Sequence, residues 1–275
     1  MGRAARLDAG ASEAPSALLV EGVTKRYATG SGEVLALDDI SIDVPAGEFF
    51  SIIGPSGCGK STLFRILGGL VGDSQGTVLV NGLPVATADR SVGMVFQEDS
   101  TFPWRTVREN VELPLEIAGI GKAERRERAL HFLDMVGLRE FEARYPAQLS
   151  GGMRQRTALA RTLAFEPRIL LLDEPFAALD EQTRLLLGDK VLQIHAKLKQ
   201  TAVLITHNIT EAVQLSDRVG IMTYRPGRLK RTIDIHLPRP RDSAIVASEA
   251  FGRYVASIWG DLREEASKGL VASER

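Results

Sequence analysis

A nine-residue run, Gly54-Pro55-Ser56-Gly57-Cys58-Gly59-Lys60-Ser61-Thr62, fits the pattern G-x-x-x-x-G-K-[ST]. It lies between an apolar stretch, residues 49–53, and a helical stretch beginning near Lys60. That is the strand, glycine-rich loop, helix order of a phosphate-binding loop. Glycines let the backbone curl until successive N–H groups converge on one small volume, and the following helix N-terminus adds partial positive charge. Lys60 can then reach a β- and γ-phosphate pair, and the Ser61 hydroxyl can ligate Mg²⁺. Cys58 occupies an x position where a small residue suffices. A glycine-rich turn that merely starts a helix has the same composition, so the partner residues elsewhere in the chain carry weight.

Four apolar residues, Ile169 to Leu172, lead straight into Asp173 and Glu174, as a buried parallel strand delivering carboxylates to a crevice would. Asp173 can hold Mg²⁺, directly or through water. Glu174 is placed to orient or deprotonate a water for attack on a γ-phosphate. The strand 202–206 ends at His207, which can hydrogen-bond the γ-phosphate and position that water. The other histidines, His131, His195 and His236, read as structural or surface residues. Gln97 comes directly after the strand 92–96, and the C-terminal end of a strand in an α/β sheet faces the ligand crevice. Its carbonyl oxygen can touch Mg²⁺ or the attacking water; standing alone it would be an ordinary loop glutamine. Ser150-Gly151-Gly152 precedes the helical run 155–164. Ser150 is a good N-cap and the glycine pair lets N–H groups approach an anion, which makes a second phosphate-binding helix start or simply a capped helix. Asp180 caps the next helix. Tyr27 ends the first strand, where its ring can stack on adenine or stand exposed.

The elements that must position these groups are set by periodicity. Residues 17–27 and 34–44 alternate apolar and polar, predicting two half-buried antiparallel strands joined by a turn at 29–32. After the loop, Leu63, Ile66, Leu67 and Leu70 share a helix face, and Gly68-Gly69 lets that helix pack closely and end. Strand 77–80, the tight turn Asn81-Gly82 and strand 92–96 come next. From about 99 the texture turns helical, with helices over 107–118 and 122–136. Arg125, Arg126 and Arg128 read as a solvated face of the second. Beyond Asp180 a helix buries Leu187, Val191, Ile194 and Leu198. Strands 219–223 and 228–237, joined by a turn at Arg225-Pro226-Gly227-Arg228, close the fold. A last amphipathic helix over 249–265 carries Phe251, Val255, Ile258 and Leu262 on one face.

Composition narrows the function classes. The chain has 275 residues, with 34 Lys plus Arg against 35 Asp plus Glu, so the basic excess of a nucleic-acid binder is missing. One cysteine excludes an intrachain disulfide or a CxxC site. No run approaches eighteen apolar residues, and the first 17 residues lack the apolar stretch of a signal peptide. The expectation is a disordered lead-in and a cytoplasmic protein that reaches a membrane by docking to a partner.

Taken together, these residues resemble the ATP-binding subunit of an ABC transporter, over residues 18–237. The resemblance implies an α/β fold: a P-loop NTPase core with an antiparallel β subdomain and an α-helical subdomain inserted at about 99–165. The lead-in 1–17 would precede it, and a C-terminal extension, 238–275, would come after it. It also implies ATP and Mg²⁺. By that resemblance Tyr27 is the adenine-stacking aromatic, Gly54 through Thr62 the Walker A loop, Gln97 the Q-loop and 149–155 the signature motif. Residues 169–173 look like Walker B, Glu174 the catalytic carboxylate, Asp180 the D-loop and His207 the switch histidine. The D-loop reads Ala178-Leu179-Asp180 where many relatives have Ser-Ala-Leu-Asp, and the aspartate is kept.

In this family two subunits clamp two ATP molecules head to tail, with Ser150 and Gly152 reaching the nucleotide of the opposite copy. The resemblance therefore implies a second ATP-binding subunit, an integral membrane permease and, indirectly, a solute-binding protein, with no nucleic acid. The site would work at the cytoplasmic face of the membrane. Phe102, Pro103 and Trp104 are candidates for gripping a permease helix. Residues 101–104 with 107–111, 225–228 and 237–241 look like the importer group for nitrate, sulfonate, taurine and bicarbonate. Import of another small solute, or a soluble ABC ATPase outside transport, are the alternatives.

Overall fold

The computed structural model describes residues 16–30, 32–72, 74–85, 91–98 and 100–273, with side chains described to residue 269. Ser31 of the first turn, Asp99 and most of the lead-in lie outside the described residues. A six-stranded sheet runs in the order β10-β9-β3-β8-β7-β6. Its members are β3 (Phe49–Ile53), β6 (Val92–Val95), β7 (Ile169–Asp173), β8 (Thr201–Thr206), β9 (Arg218–Met222) and β10 (Leu229–Asp234). All neighbours are parallel except β9 and β10, which form an antiparallel hairpin. A second, antiparallel sheet has the order β2-β1-β4-β5, from β1 (Ser16–Thr29), β2 (Gly32–Pro45), β4 (Gln75–Val80) and β5 (Leu83–Pro84).

The apolar runs of β3 and β7 are buried along their whole length because both faces of the parallel sheet are covered. Strand alternation sorts their side chains between two cores. Leu170, Leu172, Ala202 and Leu204 pack with the helices α2 (Val107–Ile117), α3 (Lys122–Met135), α4 (Gly151–Ala164) and α5 (Glu181–Leu198). Ile169, Leu171, Val203 and Ile205 face the opposite way, onto α1 (Lys60–Leu67) and the antiparallel sheet. Each fully buried leucine contributes about 1.5–3 kcal/mol. A third core joins Ile53, Val219 and Ile221 to α6 (Ile209–Leu215) and α7 (Glu249–Ser273) through Ala212, Phe251, Ile258 and Leu262.

Several expected bounds move. Ser16, assigned to the lead-in, begins β1 one residue ahead of the expected strand and pairs with Pro45, and Leu18 pairs with Val80 as well as Val44. The helix expected over 155–164 begins at Gly151, because Ser150 accepts from the Met153 N–H at 3.2 Å and starts it a turn earlier. The last strand stops at Asp234, and α7 runs on to Ser273. The arginines of α3 are not a free solvated face. Arg125 lies 3.8 Å from the buried Glu112, and Arg128 donates to the Ala164 carbonyl at 3.0 Å between Glu124 and Glu166; Arg126 alone is exposed. His195 is buried against Phe49, while His236 is exposed.

Candidate active site

Four parallel strands end on one edge of the sheet, and their register aligns the residues just beyond each strand end. Ile53, before the glycine-rich loop, pairs with Thr206, before His207; Asp173 pairs with Ile205, and Leu172 with Val95, just ahead of Gln97. This is the carboxyl edge where α/β sheets bind ligands. A cleft of about 460 Å³ opens there. Tyr27, Val34 and Ala36 wall one side; Ser56, Gly57, Gly59, Lys60, Ser61 and Thr62 form the floor; Gln97, Glu174 and Arg225 complete the rim.

The loop closes over its own lysine. Lys60 is buried, and its Nζ donates to the Gly54 and Pro55 carbonyls at 2.8 and 3.0 Å. Gly54, Pro55 and Cys58 thus form the underside of the loop, and burial pushes the Cys58 thiol up. Gly59, the N-cap of α1, has φ +100°, and a Cβ there would lie 2.8 Å from the Ala36 carbonyl oxygen. Only glycine lets the loop press so closely on β2 in that conformation.

Asp173 is buried, 6 % exposed, at the end of β7. Burial, and then the neighbouring Glu174, push its pKa up to about 6, against the pull of Lys60 and Ser61. Glu174 has φ +47°, and its N–H donates to the Ile205 carbonyl at 2.8 Å, which turns its carboxylate off the strand end. Its Oε2 lies 2.6 Å from His207 Nδ1. Behind His207 the buried Glu211 accepts from the Thr206 hydroxyl at 2.6 Å and sits 3.2 Å from Arg184, while Thr206 accepts from the Asn208 N–H. Burial raises the Glu211 pKa, and these partners offset part of the rise.

The residues present fit a magnesium nucleotide. One hydroxyl and one carboxylate beside an ammonium suit a cation that takes its other ligands from water and phosphate oxygens. Among the described residues no cluster of three or more His, Cys, Asp or Glu forms a protein cage for a metal.

Not every expected site residue meets in this cleft. Ser150, Gly151, Gly152 and Asp180 do not line it. Ser150 and Asp180 are exposed helix caps, Asp180 accepting from the Thr183 N–H at 2.9 Å and the Thr183 hydroxyl at 2.7 Å. Gly152 packs on Ala178 and Leu179, so the two motifs share a surface of their own. The periodicity gave no notice of Val34, Ala36 or Glu211. Arg225 was legible only as part of a turn, because its arrival at the loop depends on how the β9–β10 hairpin folds back.

The profile of a family described as "ABC transporter" matches residues 37–177. An uncharacterised ABC transporter ATP-binding protein of Methanocaldococcus jannaschii is 49 % identical over 253 residues, 92 % of this chain and 94 % of that one. A nitrate import ATP-binding protein of Synechocystis is 45 % identical, over 75 % of this chain and 78 % of its own length. An aliphatic sulfonates import ATP-binding protein of Bacillus licheniformis is 43 % identical, over 79 % of this chain and 84 % of its own length. Among solved structures, an ATP-binding cassette in a dimeric post-hydrolysis state with ADP and Pi superposes with TM-score 0.74 at 35 % identity, covering 80 % of this chain and all of that one. The chain therefore belongs to the ABC transporter family as an ATP-hydrolysing cassette, related to the nitrate and sulfonate importers.

Proposed function

We propose that this cassette drives import of a small oxidised anion of the nitrate, sulfonate or taurine type, working as one half of a head-to-tail pair on a separate membrane permease. The observation that carries the catalytic reading is the Glu174–His207 contact of 2.6 Å at the rim of the Lys60 cleft. Glu174 accepts a proton from the attacking water, and His207 holds the carboxylate in place through Nδ1. Lys60 and the loop N–H groups bind the β- and γ-phosphates; Tyr27 stacks on the adenine; Gln97 orients water or metal. Ser61, Asp173 and Gln97 would hold Mg²⁺, which would neutralise charge on the transferred phosphoryl group. Ser150, Gly151, Gly152 and Asp180, which stand outside the cleft of their own chain, meet the nucleotide of the second copy. The dimeric cassette among the solved relatives supports that pairing.

The permease side has its own groove. An apolar cavity of about 430 Å³ lies between edge strand β6, α2 and α4, walled by Met94, Phe96, Phe102, Leu113, Pro114 and Ile117. Asn110, fully buried, ties residues 102–106 across its rim by accepting from the Phe102 N–H at 2.7 Å and donating to the Phe102, Arg105 and Thr106 carbonyls. Trp104 and Ile117 beside it are 71 % and 67 % exposed. Such an apolar groove suits an amphipathic helix. We assign it to a cytoplasmic helix of the permease, which extends the expected contact from Phe102, Pro103 and Trp104 to α2. No helix among the described residues is long and apolar enough to cross a membrane. A peripheral place on the membrane's cytoplasmic face, below a solute-binding protein on the other side, is the consequence of that docking.

The test is growth of the source organism on single sulfur or nitrogen sources, with the chain intact, deleted or carrying Glu174→Gln. Failure of both altered strains on nitrate, taurine or an alkanesulfonate alone names the solute class. Normal growth of both on every one of these sources would refute the anion reading.

A further inference from the structure

Arg225 lies in the 225–228 turn that resembles the importer group, and no nucleotide-binding motif of the family includes it, yet it stands at the nucleotide cleft. Its Nε donates to the Gly57 carbonyl at 2.9 Å, in the middle of the phosphate loop. A Cβ on Gly57 would lie 2.9 Å from its terminal Nη2 and 3.5 Å from its Nε, so the guanidinium is packed closely against that glycine. Neither Nη atom has a hydrogen bond or ion pair among the described residues, and the side chain lines the same cleft as Lys60 and Tyr27. The turn that bears it is held from three sides. The Gly227 N–H donates to the Ala36 carbonyl at 3.0 Å, and the Gly227 carbonyl accepts from the Asp38 N–H at 2.9 Å. Thr223 Oγ1 donates to the Pro226 carbonyl at 2.9 Å and accepts from the Arg228 N–H at 3.0 Å. From α7, the buried Glu265 accepts from the Tyr224 N–H at 2.9 Å, and Gly269 packs 3.0 Å (Cβ position) from the Tyr224 ring.

A guanidinium carries five donors in a rigid fork matched to phosphate oxygens. Here one donor fixes its position, the Nη donors have no partner among the described residues, and the side chain lines a cleft built for polyphosphate, on a turn already immobilised. Placement without a further ordering cost favours binding. We infer that Arg225 is a second cationic ligand of the bound nucleotide's phosphates, acting beside Lys60 and held in place by the C-terminal helix α7. This rests on the reading of the cleft as the nucleotide site.

The test is calorimetric titration of the full-length chain with ADP and with adenosine, for wild type, Arg225→Ala, Arg225→Gln and Arg225→Lys. One lost charge-assisted contact corresponds to roughly a tenfold change in Kd. Arg225→Ala and Arg225→Gln are expected to weaken ADP about tenfold and leave adenosine unchanged; Arg225→Lys recovers part of the loss. Glutamine can still donate to the Gly57 carbonyl, so full ADP affinity in Arg225→Gln would mean that the residue only props the loop, and the inference would fail. Equal weakening of ADP and adenosine, or no change in Arg225→Ala, would overturn it as well. Wild type that binds neither ligand would instead sink the nucleotide assignment itself.

Discussion

Gly227 offers the sharpest test of how the fold supports the site. A Cβ at this position would lie 2.1 Å from the Cys58 carbonyl oxygen, 2.8 Å from Met222 Cε and 3.2 Å from Leu37 Cδ2. The first contact falls roughly 1.2 Å short of the ~3.3 Å at which carbon and carbonyl oxygen ordinarily meet. The Cys58 carbonyl oxygen is backbone and the added carbon is fixed to the Gly227 backbone, so this contact cannot be relieved by a side chain swinging aside. Gly227→Ala must push the β9–β10 turn away from the phosphate loop, which strains both Gly227 backbone bonds to β2. Overpacking costs about 1–3 kcal/mol and each weakened bond about 1 kcal/mol, so the expected loss is roughly 3–5 kcal/mol. For a protein of this size that lowers Tm by roughly 10 °C. The control is Gly260→Ala, at an exposed position of α7 with nothing within 4 Å of the added carbon. There alanine relieves the helix cost of glycine and should stabilise by about 0.5–1 kcal/mol. Differential scanning fluorimetry and ADP titration read both variants. A Tm for Gly227→Ala within two or three degrees (about 1 kcal/mol) of wild type, with unchanged ADP affinity, would refute the reasoning that this turn braces the loop.

Asp173→Asn should stabilise the nucleotide-free protein while abolishing Mg²⁺-dependent turnover. With the folded pKa raised to about 6 from 3.8, the folded state binds the proton more tightly, so stability falls as pH rises from about 4 to 6 and stays low above. The full shift corresponds to about 3 kcal/mol, and water reaching the carboxylate reduces this to ~1–2 kcal/mol. Melting should therefore show the variant ahead at pH 7.5 and the gap narrowed at pH 5; a gap independent of pH would refute the assignment of burial and Glu174 repulsion as its cause. Ile117→Glu, which sets a charge on the rim of the apolar groove, should leave ATPase activity of the isolated chain unchanged and abolish co-purification with the permease. Retained co-purification would move the permease contact elsewhere.

How much of this was legible in the sequence depends on the range of the interaction. The glycine-rich loop, the apolar run into Asp173 and Glu174, and the Ser150 cap are local patterns. Backbone sterics, strand alternation and capping fix them within a few residues, so their element types are set by residue order alone. Asp180 caps α5 and Ser150 caps α4, as their residue types required. The family relationship was legible for the same reason, since its motifs are short and keep their order.

The tertiary structure decided what depends on distant segments. Parallel register alone brings Asp173, His207 and Gln97 to one edge, and the 2.6 Å contact between Glu174 and His207 joins residues 33 positions apart in the chain. Arg225 reads as a turn residue until the hairpin and α7 fold it onto Gly57, 168 positions away. The arginines of α3 looked solvated because their acidic partners, Glu112, Glu142 and Glu166, come from other elements. Local propensity sees one face of a helix, and only packing says what that face meets. The sequence by itself determined the loop, the carboxylates and the fold class; the tertiary structure determined which of those groups share a cleft.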